Sequence, residues 1–88
     1  MRFKEIYHNS EYNFSLGVDT ITNRFFLSFP VTTGVVDYEE HYFIPKVMIE
    51  KYPLNIETIL IFLEQCKKRK QDRFLIIKPG WNRGTPYS

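Results

Sequence analysis

The feature that most narrows the fold of this chain is a change of hydrophobic period near residue 45. Before it, Tyr12, Phe14, Leu16 and Val18 alternate with Asn13, Ser15, Gly17 and Asp19, the signature of a strand with one buried face. After it, Ile56, Ile59, Leu60, Leu63 and Cys66 recur at helical spacing, behind Asn55 as N-cap and Glu57 in the first turn. Strands followed by helices predict an α+β domain. The expected architecture is an antiparallel sheet of four to five strands with two helices from the C-terminal half packed on one face, in the order β-β-β-β-α-α-β.

Turn chemistry sets the other boundaries. Residues 2–8 form a first strand, with Phe3, Glu5 and Tyr7 on one side and Lys4, Ile6 and His8 on the other. Asn9-Ser10 turns it into the second strand, and Asp19-Thr20-Ile21-Thr22-Asn23 makes a hairpin into a third over 24–31. Phe25, Phe26, Leu27 and Phe29 make that strand apolar on both faces, so it is central, with Pro30 placed where no ladder donor is needed. Gly34 supplies a turn, and 35–44 returns with Val36, Tyr38, Glu40, Tyr42 and Ile44 on one face. Asp37, Glu39, His41 and Phe43 lie on the other, a wet acidic face. A short helix over 45–52 begins at Pro45, and a last strand is expected over 74–78. One domain spans 1–88, with 79–88 a Gly/Pro-containing tail.

With 88 residues, the domain buries only roughly 60 to 65% of the surface of its unfolded chain. Eight Phe and six Tyr make that thin core aromatic, and rings left uncovered would serve as anchors at an interface. Lys and Arg number 12 against 10 Asp and Glu, well short of the basic excess of a dedicated nucleic-acid binder. The single cysteine, Cys66, excludes an intramolecular disulfide and sits on the apolar stripe of the main helix, as a core residue would. No leader-like apolar run follows the basic residues at the N-terminus, and the longest apolar stretch is too short to span a bilayer. The cytoplasm is the expected compartment.

Several residue groups invite chemistry. Asp37, Glu39 and His41 project together from one strand, but three candidate ligands without a nearby second histidine make a poor metal or acid/base site. No cofactor and no catalytic set is expected. Lys67-Lys68-Arg69-Lys70 suits phosphate binding, or the negative end of a helix. A nucleic-acid module would combine that run with stacking on Phe25, Phe29 or Tyr42. Gly80-Trp81-Asn82-Arg83-Gly84 lacks the spacing of a phosphate loop; Trp81 and Arg83 serve either as interface anchors or to fold the tail onto the sheet. The preferred reading is a protein-binding face on which Asp37, Glu39 and Glu40 steer a basic partner and Tyr38, Tyr42 and Phe43 anchor it, with His41 among the binding residues.

The strings Asn23-Arg24-Phe25-Phe26-Leu27-Ser28-Phe29-Pro30-Val31 and Gly34-Val35-Val36-Asp37-Tyr38-Glu39-Glu40-His41-Tyr42, with Asn82-Arg83-Gly84-Thr85-Pro86, resemble a family of small bacterial proteins encoded beside polymorphic toxins. These are the immunity proteins of Maf-type and contact-dependent growth inhibition systems. The resemblance covers about a third of the chain. It implies a non-enzymatic inhibitor that binds the C-terminal domain of a cognate toxin, foremost an RNA-cleaving nuclease, and it leaves a homodimer open. It carries over no binding residues, since contacts in such pairs are specific to each pair.

Overall fold

The computed structural model describes residues 1–80 and 82–86. Four strands, β1 (Phe3–Asn9), β2 (Phe14–Asp19), β3 (Arg24–Thr32) and β4 (Asp37–Ile44), form an antiparallel meander in the order β1-β2-β3-β4. Two helices follow, α1 (Lys46–Glu50) and α2 (Ile56–Lys67), then a single 3-10 turn at Asp72–Phe74 and a two-residue strand, β5 (Thr85–Pro86). This is the expected α+β order.

The last strand is not where its apolar residues suggest. Within 74–78 only Leu75 bridges to the sheet, opposite Tyr42, and Ile76 N–H donates to the His41 carbonyl. The fifth strand comes from the tail instead. Beyond Ser28, β3 runs past its β2 ladder, and β5 takes up the exposed edge at Val31 and Thr32. Pro30 falls in the gap between those two partners, where a missing N–H costs least.

One face of the sheet carries the core. Phe14, Leu16, Leu27, Phe29, Val31, Tyr42 and Ile44 meet Ile49 of α1 and Ile59, Leu63 and Cys66 of α2, all buried. Asn55 precedes α2 but caps nothing with its side chain; its Nδ2 donates to the Met48 carbonyl and so joins the two helices. Ile61 stays outside, 63% exposed. The radius of gyration, 12.3 Å, matches the roughly 12 Å of a compact domain of this length.

β1 breaks the regular alternation. Its register with β2 shifts between Glu5 and Tyr7, a bulge that puts Phe3, Glu5 and His8 on the open face and turns Tyr7 towards Leu16 and the Tyr52 ring on the core side. Gly17 shows why the strands come so close. A Cβ built there would lie 2.1 Å from the Lys4 carbonyl oxygen and 2.7 Å from Phe26 Cζ, so no larger residue fits. At the other hairpin, Gly34 takes a φ of 91°.

Candidate functional site

Among the described residues no helix covers the second face of the sheet, which presents a cross-sheet row of four polar residues. Strand pairing places His8 opposite Ser15, Ser15 opposite Ser28, and Ser28 opposite His41. A glutamate from each outer strand reaches inward to this row. Ser15 Oγ donates to Glu5 Oε1 at 2.7 Å and Ser28 Oγ donates to Glu39 Oε1 at 2.9 Å. The arrangement has an approximate twofold relation: β1 and β4 supply the histidines and carboxylates, and β2 and β3 the serines.

Each serine anchors a glutamate. His8 Nδ1 lies 2.9 Å from Ser15 Oγ; because the hydroxyl proton points to Glu5, the imidazole must be the donor. His8 is then no base for Ser15. Both hydroxyls are also buried, Ser28 at 1% exposure and Ser15 at 6%. Each therefore fixes one lone-pair direction of a carboxylate whose outer edge remains exposed.

The carboxylates that β4 places on this face are exposed, as expected of a wet acidic face, but His41 is partly covered. The Phe3 ring of β1 lies on the His41 ring of β4, centroids 3.7 Å apart and planes 12° from parallel, and Phe26 meets both edge-on. In a flat sheet three strand spacings, about 14 Å, would separate those strands. The sheet therefore curls towards its open side, as the bulge in β1 and the bare Gly17 allow. His41 loses water in this contact, and burial is the main cause that holds its pKa below the ordinary histidine value.

The curl forms an open hollow of about 480 Å³ with Phe3, Phe26 and Met1 as apolar lining and Glu5, Ser15, Ser28, Glu39 and His41 as polar floor; Lys4 and Thr20 also line it. A second hollow of about 220 Å³ adjoins it towards His8, Asn13 and Pro30. Glu5, Ser15, Ser28 and Glu39 line both. The paired carboxylates thus stand at the waist of one trough.

The residues singled out from the sequence divide between two faces. Asp37, Glu39 and His41 share the trough side of β4, with Asp37 exposed at its end. Tyr38, Glu40 and Tyr42 point the other way, and two of them are inside: Glu40 is 6% exposed and Tyr42 not at all. They cannot contact a partner without unfolding. Strict alternation along β4 separates them from Glu39 and His41, and a mostly covered cation holds them. Arg83 donates to both Glu40 oxygens at 2.7 and 3.1 Å, to both Asp72 oxygens at 2.6 and 2.9 Å, and to Tyr42 Oη at 3.2 Å. Hydrogen bonding from Arg83 holds the Asp72 pKa below the usual carboxylate range. Of the two roles open to it, Arg83 takes that of folding the tail back; Gly84 N–H then donates to Tyr38 Oη at 2.7 Å. Trp81 lies outside the described residues.

The basic run is broken up by the end of α2. Lys67 closes the helix, Lys68 is its C-cap, and Arg69 reverses the chain at a φ of 61° and reaches the Gly84 carbonyl. The rings proposed for base stacking are covered: Phe29 and Tyr42 lie in the core, stacked on each other at 5.7 Å, and Phe25 packs against it. Cys66 is buried, and burial raises its thiol pKa well above the ordinary value. Among the described residues no group of three or more His, Cys, Asp or Glu is placed to hold a metal, and no helix is long and apolar enough to cross a membrane.

Four trough residues escaped the sequence reading: Glu5, His8, Ser15 and Ser28. A hairpin centred on residues 20–23 already implies that Ser15 faces Ser28, and two hydroxyls paired inside apolar strands were the available signal. Comparison with protein-family models, curated proteins and solved structures finds no match to the chain.

Proposed function

We propose that this protein is an immunity-type inhibitor that binds a cognate bacterial toxin domain, a nuclease foremost, and neutralises it by covering its active or substrate-binding surface. The observation that carries the reading is the uncovered trough, whose exposed carboxylates Glu5 and Glu39 are of the charge a nucleic-acid-binding cleft would meet. The serine bonds reduce the freedom that Glu5 and Glu39 lose on docking, which favours tight association. Inhibition of this kind needs no nucleophile and no metal. The acids that steer the partner are those of the trough, not Glu40, which is spent on Arg83.

The test is calorimetry with the toxin domain encoded beside the gene, alongside an RNA-cleavage assay. Stoichiometric binding that abolishes cleavage is expected, and Glu39→Gln, which keeps an acceptor for Ser28, should weaken binding by at least tenfold with little change in thermal stability. No heat of binding to that domain, with cleavage unaffected, sinks the reading.

A further inference from the structure

We infer that the trough is a socket for a single arginine side chain of a protein partner, seated with its guanidinium between Glu5 and Glu39. This deepens the inhibitor reading and rests on it for the identity of the partner.

Three properties select this occupant. The first is charge without a resident partner: among the described residues neither glutamate has a lysine or arginine within ion-pair distance, and the sole ionic neighbour of Glu5 is His8 at 3.7 Å. The second is orientation. Each carboxylate is held by a serine, the two serines stand at directly paired positions, and both glutamates line the same trough. A planar donor with five N–H groups can bridge two such acceptors, whereas an ammonium presents only a compact point charge. The third is the wall. Met1 and the partly exposed Phe3, which line the same hollow, give a long cationic side chain an apolar surface for its methylenes. A metal would not be chosen here, because no third ligand converges; an anion would meet two carboxylates.

The assignment is tested on the intact chain with a small probe, N-acetyl-arginine methylamide, titrated while backbone amide resonances are followed. Saturable shifts centred on Glu5, Ser15, Ser28, Glu39 and His41 are expected, stronger than with the lysine analogue. They should vanish with the uncharged citrulline analogue and in the Glu5→Gln/Glu39→Gln variant, whose shape and fold are preserved. Equal shifts with citrulline, shifts centred elsewhere, or none at all overturn the socket. Calorimetry against the neighbouring toxin domain separates this inference from the reading beneath it. A loss of roughly 30-fold or more in affinity for the double variant supports the socket. Undiminished affinity rejects the socket but leaves the inhibitor standing. If the wild-type chain fails to bind the toxin at all, the inhibitor reading falls, and the arginine titration still decides whether the socket exists.

Discussion

Arg83 shows how one side chain can fix a segment that has almost no secondary structure of its own. Its guanidinium is 12% exposed and closes on Glu40, Asp72 and Tyr42 at once, which lets a glutamate at 6% exposure sit beside the apolar core. Removing it strands a buried charge, the costly way to break such a pair. Arg83→Ala is therefore expected to destabilise the fold by about 3 to 5 kcal/mol, seen as a melting temperature lower by roughly 15 °C or more. Arg83→Lys should recover only part, because a point charge cannot span two carboxylates. Adding Glu40→Leu to Arg83→Ala should return part of the loss, since no carboxylate is then left unpaired. A melting curve for Arg83→Ala matching wild type would show that the tail network contributes nothing.

At the scale of elements, the sheet is governed by β1, which lies at its open edge and deviates most from the ideal strand. The bulge between Glu5 and Tyr7 and the absence of a side chain at Gly17 together let β1 fold inward until Phe3 reaches His41. Gly17→Ala should push β1 away from β2, costing roughly 1 to 3 kcal/mol or more; amide exchange of Phe3 to His8 should accelerate while that of Leu27 to Phe29 stays slow. Uniform protection across both strands would contradict the close approach. Here lies the division between what was legible in the sequence and what was not. Period-2 patterning and turn residues located β2, β3 and β4, and helical spacing located the buried face of α2, because burial of one face dictates those patterns. A bulge shifts every later side chain to the opposite face and leaves no mark in a hydrophobic pattern, so His8 was placed away from Glu5. β5 was missed for a related reason: Thr85 and Pro86 have poor strand propensity, and only the Arg83 network brings them to β3.

For the molecule as a whole, the two ends of the chain are fastened by the same device. Arg2 pairs in parallel with both oxygens of buried Asp19 at 2.9 and 3.0 Å, and that carboxylate also accepts from Ile21 N–H and Thr22 Oγ1 in the hairpin between β2 and β3. Hydrogen bonding from Arg2 pulls the Asp19 pKa far below the usual carboxylate range, as Arg83 does more mildly for Asp72. A carboxylate depressed in the fold contributes stability that is complete above its unfolded pKa, about 3.9, and is lost as pH falls through the folded value. His41, depressed by burial, acts in the same direction at a higher pH. Its contribution is complete above about 6.5 and declines below that, where the unfolded chain takes up a proton that the stacked ring resists. Stability should thus be flat between about pH 7 and 8, fall with a slope of at most about 1.4 kcal/mol per pH unit for one histidine just below 6.5, and fall again below pH 4. Denaturant titrations at a series of pH values should show both steps. His41→Gln should erase the upper step and leave the lower one, whereas Asp19→Asn should lower stability at neutral pH and flatten the acid limb. Were stability to rise between pH 7 and 5, the buried stacking of His41 on Phe3 would be wrong, and with it the curl that forms the trough.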